Sequence, residues 1–359
     1  MPELDTPGAS SRRQPAGPGK AVPRDAYFLL KREVERAGCF APTPWRHLGD
    51  AIFVLGAYFT GFVALLGDPD AAQRIAALAL VAFANIHGGL VAHEASHGAM
   101  TGNRRLASAY GHFFMTFLTA LAFGHWLDMH KRHHPNSNDP ARDPDAQSDI
   151  FSMYLESAFE KRGLGRAVTR RQAYLIWVLV TLQGFSLKVG GVCFMCREPR
   201  AARADWAMLP LHLGLWFGLP VYVLGIGDAA LNYVLMTWFL GPYLGALFLV
   251  NHIGTRIIEP GEDISFLHHQ VLTTRNLGTS RFADFLFGGL NNHIEHHLFP
   301  TIPKARLRRA RGITRDFCRR NGIPYREMSW WSACAEVFHH FRGVSLAAYG
   351  RAATQTVIR

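Results

Sequence analysis

The chain has 359 residues and a formal net charge of +11, with 49% hydrophobic, 12% aromatic and 18% charged residues. Soluble domains carry about 25% charged residues, so a polar-surfaced globular protein is a poor fit. A basic balance admits nucleic acid, an anionic membrane face or an acidic protein partner; the apolar residues are bunched into long runs, which argues for no nucleic acid and favours the other two.

In chain order, residues 1–25 are rich in Pro, Gly, Ala and Arg, lack the apolar region of a signal peptide, and read as a disordered N-terminal tail. Residues 26–47 form a charged surface or amphipathic segment. Residues 51–66 are apolar without a charge, and 75–92 are apolar with His87 as the one ionisable group. Each is near the lower limit for a membrane span, about 17 residues. The turn Gly67-Asp68-Pro69-Asp70 joins them into a helical hairpin. Residues 106–124 hold Ser108 and His112 among apolar neighbours and read as a re-entrant or interface helix. Residues 135–172 are polar, with Pro135, Pro140 and Pro144 breaking helices early on. Residues 173–196 are apolar but interrupted by Gln183 and Lys188, which points to the membrane interface. Residues 206–226 and 229–250 make a second hairpin around Gly225-Ile226-Gly227-Asp228. From His252 onward the chain is polar and strongly basic.

Charge placement orients these spans. Eight Lys and Arg precede residue 51, whereas the two hairpin turns carry only Arg74 between them. The positive-inside rule then gives an integral, multi-pass membrane protein with four spans and both termini cytoplasmic. The five cysteines, Cys39, Cys193, Cys196, Cys318 and Cys334, are scattered and imply no disulfide framework. Cys193 and Cys196 form a CxxC without a second pair, and packing is the expected role.

Three histidine clusters carry the chemistry: His93-Glu94-Ala95-Ser96-His97, His130-Lys131-Arg132-His133-His134 and His293-Ile294-Glu295-His296-His297. They hold eight of the 18 histidines. Offsets of three and four residues put the imidazoles of each cluster on one face of a helix. Neutral imidazole is a common metal ligand, and eight are too many for one ion, so the spacing points to a two-metal site built from several helices. Packing three imidazoles on one face without a metal would crowd polar groups that need partners. Isolated histidines such as His87, His112 and His212 read instead as satisfied core residues. The four-span topology places all three clusters, and Asn251-His252, on the cytoplasmic side.

The first cluster also matches HExxH, the zinc-protease pattern with Glu as general base. A membrane zinc protease would use that cluster and one further ligand, leaving both HxxHH clusters unexplained. A histidine-rich metal transporter would carry its ligands within the spans, whereas here they follow the spans.

The three clusters resemble the histidine boxes of the membrane fatty acid desaturases: HxxxH, HxxHH and H/QxxHH. Pro135-Asn136 and Asp143-Pro144-Asp145 after the second box are similar to the family's continuation. Gly288-Gly289-Leu290-Asn291 before the third box and Leu298-Phe299-Pro300-Thr301-Ile302-Pro303 after it resemble the acyl-lipid and front-end branch, as do Gln270, Thr274 and Asn276. The resemblance covers roughly residues 48–325. It implies an all-α integral membrane fold: four transmembrane helices as two hairpins, with a cytoplasmic helical cap holding a di-iron site. The desaturase domain would span 26–325 and a C-terminal cytoplasmic extension 326–359.

The same resemblance implies nine metal ligands, His93, His97, His130, His133, His134, His252, His293, His296 and His297, with Glu94, Asn251 and Asn292 close behind them. Its cofactors are two iron ions, with dioxygen as co-substrate. The implied reaction removes two hydrogens from neighbouring methylenes of a fatty acyl chain and leaves a cis double bond. Two positions depart from the family pattern. Glu94 stands where Asp is usual, and His293 where front-end enzymes have Gln, so the position of the double bond is not implied. Hydroxylation of a lipid, sphingolipid or carotenoid on the same scaffold is the nearest alternative, and a silent lipid-binding protein is one of another class. No His-Pro-Gly-Gly haem segment is present, so the expected electron donor is external: a ferredoxin, a flavoprotein or cytochrome b5. The basic stretch Lys304, Arg306, Arg308, Arg309 and Arg311 is a candidate docking face for it, or a patch facing the lipid surface.

Overall fold

The computed structural model describes residues 25–67, 69–148 and 150–350; apart from Asp25, the tail read over residues 1–25 lies outside the described residues. Among the described residues the chain is helical, with one isolated bridge between Asn276 and Glu327 and no strand. The helices are α1 (Ala26–Arg36), α2 (Pro44–Leu66), α3 (Ala71–Ser96), α4 (Arg104–Gly111), α5 (Phe123–Asn136), α6 (Leu155–Glu160), α7 (Gly163–Thr169) and α8 (Gln172–Leu179). They continue with α9 (Gln183–Arg197), α10 (Arg203–Phe217), α11 (Leu219–His252), α12 (Phe266–Leu272), α13 (Arg281–Leu286), α14 (His293–Leu298), α15 (Lys304–Arg320) and α16 (Trp330–Tyr349).

Local chemistry explains the main boundaries. Pro44 opens α2, where its missing N–H costs nothing. Asp70 and Gln73 form a reciprocal capping box at the start of α3, with Oδ1 of Asp70 accepting the Gln73 N–H at 2.8 Å. Asn103 caps α4, which runs on into a π-helical turn, His112–Phe117.

Four helical runs are long and apolar enough to cross a membrane: Pro44–Leu66, Ala71–Ser96, Gln172–Arg197 and Leu219–His252. The first two contain the expected segments 51–66 and 75–92, and the last contains 229–250. The third differs from the expectation. Residues 206–226 do not form one long helix: α10 is 15 residues long, Gly218 separates it from α11, and Gly225 breaks α11 with φ 82°. Segment 173–196 is instead part of the continuous run α8–α9, joined by a single 3-10 turn over Val180–Leu182. Gln183 and Lys188 do not interrupt it, because the Lys188 ammonium donates to Tyr233 Oη at 3.0 Å and Thr237 Oγ1 at 2.9 Å on α11.

One apolar core joins α2, α3, α10, α11 and the π-helical turn, through Tyr58, Val81, Phe114, Trp216 and Leu240. A second joins α1, α12, α14 and α15 through Leu30, Val271, Ile294 and Phe317. Large apolar side chains on the outer faces, such as Ile52, Val63, Val189, Val234 and Phe248, are exposed. In water such a surface would be an aggregation hazard; against lipid it is the solvated state. Cys193 and Cys196 lie on this exposed side of α9, contrary to the packing role expected of them, and all five cysteines are free.

Helices α8–α9 seat on α11 through glycines that let backbones touch. A Cβ at Gly241 would strike the Thr181 carbonyl oxygen, and one at Gly245 would lie 2.8 Å from Val180 Cβ. Gly241→Val should therefore destabilise the folded protein by about 1–3 kcal/mol, the usual cost of overpacking. Thermal unfolding in detergent should show a clear drop against Gly227→Ala, whose Cβ meets nothing within 4 Å; equal melting temperatures would refute the close packing.

Candidate metal centre

Four elements deliver the histidines. The end of α3 presents His93 and His97, and α5 presents His130, His133 and His134. His252 closes α11, and α14 presents His293, His296 and His297. The structure brings all nine together in two adjoining groups. His93, His97, His130, His134 and His296 form one, and His133, His252 and His297 the other. His293 joins the second through its Nε2, 2.8 Å from Nε2 of His252.

The spacing of the ring nitrogens is informative. Nε2 of His130 lies 2.8 Å from that of His97 and 3.0 Å from that of His134, which is 3.1 Å from Nε2 of His296. Nε2 of His133 and His252 are 3.2 Å apart. Imidazole nitrogens bound at roughly 2.1 Å to one divalent ion lie about 3–3.4 Å from one another, so these distances fit nitrogens sharing an ion. His134 Nδ1, His293 Nδ1 and His297 Nε2 are buried without a hydrogen-bond partner. For His297 the unpaired nitrogen is the one on the cluster side. The residues present therefore fit a pair of metal ions.

Three rings are fixed from behind. Nδ1–H of His133 donates to Asp143 at 3.0 Å, that of His252 to the Thr273 carbonyl at 3.0 Å, and that of His297 to Gln270 Oε1 at 2.9 Å. Each bond fixes the tautomer and turns Nε2 toward the centre. Asp143 is itself held by the N–H of Asn138 at 2.8 Å. Asn138 has φ 57°, and its amide donates to the His252 carbonyl at 3.1 Å and Thr255 Oγ1 at 2.8 Å, tying the exit of the second box to the end of α11.

Burial disfavours the charged form of most of the rings. Burial, and then neighbouring imidazoles, hold His130, His134, His293, His296 and His297 well below the usual histidine value of 6.5. Burial also opposes charge on His133, yet Asp145 and Asp143 outweigh it and raise that ring. Neutral imidazole is the metal-binding form.

The three residues expected behind the ligands behave differently. Glu94 bonds none of the nine rings: it accepts the Lys304 N–H at 2.7 Å and lies 3.5 Å from the Lys304 ammonium and from Nδ1 of His47. It was expected to orient a neighbouring box imidazole; the α15 N-terminus draws it away. Asn292 accepts from Arg311 at 3.2 Å and donates within its own loop. Asn251 donates to the Leu247 carbonyl at 2.7 Å and leaves Oδ1 buried and unpaired. His268 and His269 stay outside the cluster, on Ser265 and the Ser137 carbonyl. Spacing alone could not reveal Asp143, Thr273 or the Gln270–His297 bond, because each partner lies on another element.

The basic stretch is largely committed internally, which corrects its reading as a docking face. Lys304 pairs with Asp50 at 2.9 Å, Arg306 donates to the Ala41 carbonyl at 2.8 Å, Arg308 pairs with Asp284, and buried Arg311 pairs with Glu327 at 2.7 Å. Of the five only Arg309 is exposed.

An apolar cavity of about 50 Å³ leads away from His93 between α3, the π-helical turn, α5, α9 and α11, bounded by Ile86, Leu90, Met115, Trp126, Leu240 and Leu244. If Asp143 orients His133 as the geometry indicates, Asp143→Asn should weaken metal retention by about 10–100-fold, the usual cost of losing such a partner. Chelator competition on purified protein measures it, and unchanged retention would show that His133 needs no carboxylate.

Comparison with known proteins agrees with this geometry. The sequence profile of the family described as "Fatty acid desaturase" matches residues 70–329. A Delta 8-(E)-sphingolipid desaturase of Candida albicans is 25% identical over 325 residues, 85% of this chain and 55% of that protein. Another from Emericella nidulans is 28% identical over 255 residues, 65% of this chain and 47% of that one. The Delta(6)-fatty-acid desaturase fat-3 of Caenorhabditis elegans is 28% identical over 286 residues, 70% of this chain and 60% of that protein. The chain spans about half the length of the curated relatives it matches. With the profile covering most of the chain, and histidines spread along it gathered into two metal-sized groups, this protein belongs to the fatty acid desaturase family.

Proposed function

We propose that the protein is a dioxygen-dependent di-iron desaturase that inserts a cis double bond into a fatty acyl chain. The observation that carries this reading is the pair of adjoining imidazole groups at the head of an apolar cavity. Five rings, His93, His97, His130, His134 and His296, would hold one iron, and His133, His252, His293 and His297 the other. Iron and dioxygen, when bound, supply the oxidising power.

The chain's own residues do the rest. Trp126 stacks on His130 at 4.3 Å and lines the cavity, closing the centre against water. The aliphatic walls place one segment of an acyl chain beside the centre, where orientation and dryness favour hydrogen removal. Relatives named as fatty-acid and sphingolipid desaturases favour desaturation over hydroxylation. The zinc-protease reading is weakened because Glu94, its general base, is held by Lys304 away from the rings.

The proposed orientation puts the metal centre and both termini on the cytoplasmic side. The α2–α3 connection and the N-terminal end of α11 would lie on the other side, where Arg74 and Asp228 pair at 2.7 Å. The membrane supplies the lipid substrate, and electrons come from an external ferredoxin, flavoprotein or cytochrome b5. Expression in a host lacking the activity, followed by mass spectrometry of its lipids, should show new double bonds and their positions. His133→Ala and His296→Ala should each abolish the product and lower bound iron from two per chain. Full desaturation with full iron in either variant would refute the ligand assignment.

A further inference from the structure

The cavity wall contains one polar side chain that nothing in the fold accounts for. Asn85 sits on α3, lines the cavity and is 1% exposed. Its Nδ2 donates to the thioether of Met236 at 3.1 Å, a weak acceptor, and its Oδ1 is buried without a partner. The other wall hydroxyl, Thr119, is engaged with the Met115 carbonyl. His93 and Trp126 bring ring nitrogens to the cavity at the metal-centre end; the other neighbours, including Ile86, Gly89, Leu240 and Leu244, have no side-chain donor or strong acceptor. A buried amide left unmatched in an apolar setting is unfavourable, and a leucine there would avoid that penalty.

The position sets what the amide can read. Asn85 and His93 lie on one helix eight residues apart, which corresponds to about 12 Å along its axis. The cavity, about 50 Å³ in this structure, must part its walls to take more than a short piece of chain; a lipid chain that runs from the imidazoles along α3 then reaches Asn85 at about that distance from the reacting carbon. A plain methylene chain leaves Oδ1 unpaired there. A hydroxyl on the chain donates to Oδ1, and because it also accepts, it can take Nδ2–H from the thioether.

We propose that Asn85 is a specificity-determining residue, and that the preferred substrate is a lipid chain bearing a hydroxyl about 12 Å from the carbon that is oxidised. The inference rests on the proposed acyl-chain occupant of the cavity. One neutral hydrogen bond, with relief of a buried unpaired group, supports a preference of about tenfold over the unsubstituted chain.

Binding without turnover tests it. Iron-loaded protein in detergent, kept free of dioxygen, is titrated with a plain acyl chain and with a series hydroxylated at successive carbons. Wild type should bind one hydroxyl position about tenfold more tightly than the plain chain. Asn85→Leu and Asn85→Ala should lose that preference while still binding the plain chain; the alanine variant serves if the leucine variant does not fold. Equal affinity for every chain in wild type, or a preference that survives both substitutions, would overturn the role of Asn85 and leave the acyl-chain reading standing. Failure of every chain to bind would overturn the occupant itself, and the role of Asn85 with it.

Discussion

The structure depends on the meeting of nine imidazoles in a largely buried space. Burial and neighbouring imidazoles push His130, His296 and His297 away from the charged form, while Asp145 and Asp143 raise His133. Without an ion, close Nε2 pairs have little to recommend them: nitrogens such as His297 Nε2 are buried with no partner. A divalent ion bound there would turn that liability into cohesion. It is the one partner that satisfies inward-facing lone pairs from α3, α5, α11 and α14 together, so metal binding and the docking of those elements are linked.

Carboxylates surround the centre, yet their contacts organise helices. Asp143 holds a ring from its outer edge. Glu295, between two of the histidines of α14, accepts from Tyr325 at 2.7 Å and Asn276 at 2.8 Å, and Asn276 in turn accepts the Ile294 N–H at 2.9 Å. Short α14 would be unstable alone; this network fixes it. Asn276 and Gln270 thus have physical roles: one braces the helix that carries the third box, and the other sets the tautomer of His297.

Much of this was legible in the chain. Histidine spacing gave the faces, and apolar periodicity marked the α2–α3 pair on either side of its charge-poor turn; the second expected pair, 206–226 with 229–250, did not form, and α8–α9 takes the place of its first member. Long-range partners were not legible. Lys188 looked like an interruption of an apolar run, since its hydroxyl partners lie some 45 residues later on α11. Residues 206–226 looked like a span because hydropathy does not register the backbone geometry of Gly218 and Gly225. The basic run after the third box looked like an exposed patch, since its partners Asp50, Asp284 and Glu327 come from three separate segments.

Glu94 shows why a local pattern can mislead about chemistry. The letters His93-Glu94-Ala95-Ser96-His97 are those of a protease helix, and the helical offsets of the two histidines are the same. What differs is the partner. The N-terminus of α15 offers a free backbone N–H at Lys304 and, on the same residue, an ammonium. A buried carboxylate goes where its charge is best compensated, so Glu94 faces Lys304, and the ammonium is shared with Asp50 on α2. The glutamate that a hydrolase would spend on activating water here joins α2, α3 and α15 around the centre. With that carboxylate withdrawn, the five rings nearest it form a donor set without charge. Such a set would stabilise the higher charge of an oxidised metal less than carboxylates would, which fits the proposed oxidising role of the centre.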